Sequence, residues 1–204
     1  MKTYKVLNAG DHLHVYDAAW LAVPAAEVSY VWENDYPSRF CTKARLVHGE
    51  SGLTVRLTTD ERPLVAHHSV RNEMICEDSC MEFFFIPNMT DDRYINIEVN
   101  PLGITHIGFG AGRYDRQLLD ITDGGFRFET LITDEEWNVQ IYIPYSFLTR
   151  YYDHVDTEMR GNFYKCGDKT GHKHFAVWNP IELPRPDYHQ SAYFGRFELR
   201  DETV

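Results

Sequence analysis

The chain is a succession of short alternating or apolar runs, each closed by turn-forming residues, with no long helical period between them. Such a chain must bury many half-apolar strands against one another, which restricts it to all-β architectures. The runs fall at residues 28–32, 44–48, 53–59, 79–86, 94–100, 104–109, 126–132, 137–143, 162–166, 174–178 and 194–199. Gly49-Glu50-Ser51-Gly52, Pro87 to Asp92, Pro101-Leu102-Gly103 and Asp123-Gly124-Gly125 separate them, supplying fixed or positive φ where the chain reverses. Close reversals of this kind predict a two-sheet antiparallel β-sandwich of jelly-roll or immunoglobulin-like architecture. Helical signal is confined to Pro144–Arg150, with Pro at its first position, and to Ala18–Ala22. No repeat or linker divides the chain, and 204 residues suit a single domain spanning 1–204.

Alternation assigns faces within each strand. Ile95, Ile97 and Val99 point one way, with Tyr94, Asn96, Glu98 and Asn100 opposite. Trp137, Val139, Ile141 and Ile143 form an apolar face, while Arg160, Asn162 and Tyr164 share a polar one. Phe175 and Val177 oppose His174, Ala176 and Trp178. Several strands thus offer amides, a carboxylate, a guanidinium and aromatics to one sheet face. A sugar ring needs that set: its C–H face stacks on an aromatic, and its hydroxyls donate and accept together. The plainer reading is the solvated side of an antiparallel sheet.

Charge narrows the partners. The formal charge is −11, with Lys and Arg scattered, so neither a nucleic-acid backbone nor an anionic membrane is expected as a partner. No apolar run is long enough for a signal peptide or a membrane span, so the chain reads as cytoplasmic as it stands, or secreted if already processed. Cys41, Cys76, Cys80 and Cys166 form no C-x-x-C pair and match no zinc-framework spacing. Cys80 reads as a small core hydrophobe. The oligomeric state has no signal in the sequence.

Three segments carry a resemblance. They are Glu77-Asp78-Ser79-Cys80-Met81-Glu82-Phe83-Phe84-Phe85, then Tyr94 to Gly103, then Trp178-Asn179-Pro180 with Pro186-Asp187-Tyr188-His189 and Tyr193 to Leu199. In this order, from about Trp32 to Leu199, the chain resembles carbohydrate-binding module family 9 and its family-9-like relatives, among the DOMON-like β-sandwiches. The resemblance implies binding of mono- or oligosaccharides of the xylan or cellulose type, often at a reducing end, without catalysis. It also implies structural calcium in some members. Carried over by position, strands 96–100 and 162–166 would supply polar contacts, with Trp178 and Tyr188 as aromatics. Family binders hold the sugar between two tryptophans, whereas the segment Arg71-Asn72-Glu73-Met74-Ile75-Cys76 contains none, leaving Arg71 or Met74 to line the pocket.

Combining both lines, the expected ligand-binding set is Arg71, Asn96, Glu98, Asn100, Arg160, Asn162, Tyr164, Trp178 and Tyr188. Trp178, with Tyr188 or Tyr164, would stack on the ring, and the others would hold hydroxyls. No catalytic residue, metal ligand or cofactor is expected. Glu82 and Glu98 could instead form the carboxylate pair of a glycoside hydrolase, if ~5–5.5 Å or ~6.5–9.5 Å apart. A third reading is an interaction domain with a defunct sugar pocket. The pairs His67-His68, His12-x-His14 and His172-x-His174 lack a third metal ligand at fixed spacing. Haem held by Met74, Met81 or Met89 with His67, His68 or His106 is a weaker alternative to core packing. Asn88 with Asp91-Asp92, and Asp120 with Asp123, offer oxygens to calcium but read more simply as loops. Gly108 to Gly112 lacks the Lys-Ser/Thr and helix of a phosphate cradle.

Overall fold

The computed structural model describes residues 1–32, 35–36 and 40–204, with Tyr30 and Val31 described by their backbone only. In chain order the strands are β1 (Thr3–Asn8), β2 (Ala26–Glu27), β3 (Tyr30–Val31), β4 (Thr42–His48) and β5 (Gly52–Thr59). Then come β6 (Cys80–Ile86), β7 (Tyr94–Val99), β8 (Thr105–Gly110), β9 (Arg116–Leu118) and β10 (Arg127–Ile132). The last are β11 (Trp137–Pro144), β12 (Glu158–Cys166), β13 (Phe175–Val177) and β14 (Gly195–Thr203).

Two antiparallel sheets result, and the fold is an all-β sandwich. The first runs β10-β11-β5-β4, with β2 on β4. The second runs β14-β12-β6-β7-β8-β9, with β13 on β12 and β3 on β13. Strand β1 pairs in parallel with both β14 and β4 and joins the two into one hydrogen-bonded ladder.

The inner faces meet in a single hydrophobic cluster. Val55, Leu57, Val139 and Ile141 come from the first sheet, and Phe83, Phe85, Ile97, Phe163 and Phe197 from the second. Phe83 lies stacked between Phe85 at 4.7 Å and Phe163 at 5.2 Å. Each such side chain contributes roughly 1.5–3 kcal/mol by leaving water. Among the described residues one ion pair is buried on this side: Lys165 Nζ lies 2.6 Å from Glu61 Oε2, and the Ser79 hydroxyl donates to Glu61 Oε1 at 2.8 Å. Lys165 also donates to the Cys166 carbonyl and to His174 Nε2, each at 2.8 Å. Burial, then the Lys165 charge, brings the His174 pKa down to about 3, so the ring accepts that bond in its neutral form.

The sequence-derived strands are present, shifted by a few residues at their ends. Beside the two-residue β2, which falls just before the expected 28–32 run, two more strands, β1 and β9, complete the sheets. The first carries the alternation Tyr4/Val6 in, Lys5 out, which is readable but short. The second is a mostly exposed strand, Arg116–Leu118, with no apolar period to read. The helical turn is Tyr145–Leu148, and Pro144 precedes it with an extended ψ of 137° rather than occupying its first position.

Candidate functional site

Strand register determines what gathers on the outward face of the second sheet. Tyr164 of β12 pairs with Glu82 of β6, Glu82 with Glu98 of β7, and Glu98 with His106 of β8. One row away, Cys166 pairs with Cys80 and with Phe175 of β13. On the other side, Asn162 pairs with Phe84 and Phe84 with Asn96. The odd-numbered neighbours Phe83, Phe85, Ile95 and Ile97 face the core. A two-residue period therefore places two carboxyl groups side by side on the face away from it.

Above this row lies a cleft of about 560 Å³, whose floor holds Glu82, Glu98, Cys166 and Asp168. Tyr36, Phe175 and Tyr188 form an aromatic wall, and Arg113, Asp187 and His189 another. The rings meet edge to face: Tyr36 and Phe175 are 5.0 Å apart, Phe175 and Tyr188 6.1 Å. Lys173 sits 5.3 Å over the Tyr36 ring. Arg113 closes on Asp187 at 2.6 Å, and Gln190 donates to the other Asp187 oxygen at 2.6 Å.

The floor gathers like acids, Glu82, Glu98, Cys166 and Asp168. Burial and then neighbouring Glu98 hold the Glu82 carboxyl well above the usual carboxylate range. Burial also raises Glu98, against the opposing influence of His106. The Cys166 thiol donates to Glu82 Oε1 at 2.9 Å, and Asn96 Nδ2 donates to Glu98 Oε1 at 2.9 Å. Arg116 reaches over β8 to donate to Asn96 Oδ1. It can do so because residue 108 is glycine: a Cβ there would stand 2.7 Å from Asn96 Oδ1 and 2.8 Å from Arg116 Nε. Arg116 also donates to His189 Nδ1 at 2.6 Å, as Tyr94 does at 2.7 Å. Burial, with Arg113 and Arg116 adding to it, lowers the His189 pKa to about 3, consistent with a neutral ring accepting at Nδ1. The cleft therefore presents acids that both donate and accept, the cations Arg113, Lys173 and Arg185, a neutral imidazole and three rings.

The sequence-expected residues divide between this cleft and other places. Glu98 and Tyr188 line it. Tyr164 lies directly behind, stacked on Tyr188 at 4.3 Å and donating to its carbonyl. Asn96 stands behind Glu98. The remaining five are elsewhere. Asn100 donates to Asp78 and the His68 carbonyl, holding the loop before β6. Asn162 is buried, bonding both the amide and the carbonyl of Asn179. Arg160 donates to the Asp91 carbonyl, at the opposite end of the strand from Cys166. Arg71 is exposed and does not line the cleft. Trp178 is the largest departure: its ring packs in the core, stacked 5.4 Å from Phe197 and edge-on to Tyr4. The reason is register, since Phe175 and Val177 align with Cys166 and Tyr164 and leave Trp178 on the inner face.

Sequence reasoning missed Arg113, Asp168, Lys173 and Tyr36, which come from loops without periodicity, and Phe175, whose alternation was visible without its register. Asp187 and His189 lay within a quoted segment but were not given a role.

An all-β sandwich with an outward polar and aromatic cleft is the architecture of a ligand-binding module. The sequence matches the carbohydrate-binding family 9 model over residues 14–199, and the chain belongs to that family. Its structure superimposes on a protein from Bacteroides uniformis ATCC 8492, provisionally assigned as carbohydrate-binding, with TM-score 0.85 and 27% identity over 98% of this chain and 99% of that one. It also resembles a family 9 module from Caldicellulosiruptor kristjanssonii solved with cellotriose, at TM-score 0.72 and 13% identity, covering 99% and 95% of the two chains. The glucose complex of a family 9 module from the same organism gives TM-score 0.72 and 13% identity, covering 99% and 97%. No curated protein sequence matches.

Proposed function

We propose that the outward cleft binds a mono- or oligosaccharide of the xylan or cellulose type, entered by a chain end, without transforming it. One observation carries the reading: two buried carboxyl groups lie side by side at the floor of an open cleft walled by Tyr36, Phe175 and Tyr188. A protonated Glu82 donates to one hydroxyl while Glu98 accepts from its neighbour, and the rings take the C–H face of the sugar. Arg113 and Asp187 add a donor and an acceptor at the rim. The cleft volume falls within the ~300–1,000 Å³ of ordinary small-molecule sites. The family membership, and the cellotriose and glucose held by two structural relatives, point the same way.

A thermal-shift series with glucose, xylose, cello- and xylo-oligosaccharides tests this. A saturable rise is expected for one sugar class, following RT ln(1 + [L]/Kd). Tyr36→Ala and Arg113→Ala should each weaken it by roughly 1–3 kcal/mol. A flat response across the series would sink the reading.

The Glu82–Glu98 juxtaposition also favours a second reading, glycoside hydrolysis. A retaining mechanism needs one ionised and one protonated carboxyl, whereas burial raises both here. Turnover of an aryl glycoside that vanishes in Glu98→Gln would establish it; binding without product would exclude it.

A further inference from the structure

Cys80 and Cys166 are 86 positions apart in the chain yet directly opposite each other on β6 and β12. Their thiols are close enough to hydrogen-bond, and the Cys166 thiol donates to Glu82 Oε1 at 2.9 Å. The two sulfurs and a Glu82 oxygen all lie within 4.8 Å of one another, and all three residues are buried. Among the described residues no other three His, Cys, Asp or Glu side chains converge so closely. Beside them, Asp168 reaches the Cys166 thiol, and its Oδ1 is buried with no hydrogen-bond partner in the described structure.

We propose that Cys80, Cys166 and Glu82 form a binding site for a soft divalent cation of the zinc class, with its fourth position open to the cleft. The donor set is two thiolates and a carboxylate, which zinc accepts at ~2.3 Å for sulfur and ~2.0–2.2 Å for oxygen. Tetrahedral ligands at those lengths stand about 3.5–3.8 Å apart, so side-chain rotations suffice to draw these three atoms onto one centre. Cys166 and Glu82 line the cleft and give the ion its entry path, while Cys80 closes the site from below. Asp168, a water or a sugar hydroxyl completes the fourth position. Binding replaces protons by metal: each thiol loses one to solvent, as does Glu82 when it is protonated, and the dication with two thiolates and one carboxylate leaves one net negative charge at the site. Sequence spacing could not reveal the site, because its ligands are brought together by strand register rather than by a C-x-x-C turn. The proposal stands apart from the sugar reading, since it predicts metal binding in the absence of any sugar.

The test is titration of the reduced, metal-free protein with Cd²⁺ and Zn²⁺, following the thiolate-to-cadmium absorbance and the protons released. One ion per chain is expected, with protons released and affinity rising with pH. Cys80→Ser should weaken binding by more than about tenfold, while Cys41→Ser, whose thiol is exposed and not part of the cluster, leaves it unchanged. Failure of the wild-type protein to develop the absorbance overturns the proposal without bearing on sugar binding. Equal binding by Cys80→Ser, or a resting Cys80–Cys166 disulfide whose reduced form takes up no metal, overturns it as well.

Discussion

The two faces of the second sheet bury ionisable groups a single residue apart and treat them in opposite ways. On the inner face, Lys165 meets Glu61 at 2.6 Å and a neutral His174 at 2.8 Å, so charge is matched within the group. On the outer face, Glu82 meets Glu98, a like partner, and the nearest donors are a thiol and an amide. A matched buried pair needs nothing further and serves the fold. An unmatched one costs stability and persists where a ligand or ion completes it. Lys165 and Cys166 are sequence neighbours, so the contrast follows from the pleat alone: one step along β12 changes the face.

Four variants break or sharpen this contrast. Lys165→Ala strands the Glu61 carboxylate in the core and should cost ~3–5 kcal/mol in denaturant unfolding. The double variant Lys165→Met with Glu61→Leu should recover much of that loss, whereas recovery of none would mean that the pair itself positions the strand. Trp178→Ala opens a cavity beside Phe197 and Tyr4 and should also cost roughly 3–5 kcal/mol. Sugar affinity of its folded fraction should stay unchanged; selective loss of affinity would return Trp178 to the site.

The smallest effect is expected at Glu82. Its folded pKa lies above its unfolded value, so from about pH 4.5 upward the native state holds a proton that the unfolded state has lost. Native stability therefore falls with rising pH in that window. Glu82→Gln removes the penalty, and its stability relative to wild type should rise by up to about 1.4 kcal/mol per pH unit there. His174 acts with the opposite sign. Its pKa is depressed to about 3, so its contribution is present above pH ~6.5 and is lost as pH falls toward 3. Paired melting curves of wild type and Glu82→Gln across pH 4–8 separate the two; a pH-independent difference would remove Glu82 as the source.

Legibility in the sequence followed what periodicity can encode. A period of two identified Asn96 and Glu98 as face-mates, and the β-rich pattern gave the sandwich. It could not say which face of one strand aligns with which face of the next. That missing register moved Trp178 from the expected ring platform into the core and kept Phe175 out of the expected site. Asn100 and Asn162 look like ligand contacts by residue type, yet their amides are consumed by Asp78 and by the Asn179 backbone. Side-chain chemistry indicates capability, and only the neighbours decide whether it is already spent. Arg113, Lys173 and Tyr36 sit on loops, where the sequence leaves no periodic trace.

The parallel seating of β1 has a consequence for biogenesis. Thr3 to Val6 take as partners Arg196 to Leu199, which are among the last residues of the domain to leave the ribosome. Until then the first strand has only its short pairing with Val47 and His48 to occupy it. Closure of the ladder must therefore wait for nearly the whole domain to be translated, a long-range step of the slow-folding kind. A nascent chain stalled before residue 195 would expose the open edges of β1 and β12, the state in which pairing with another chain is easiest.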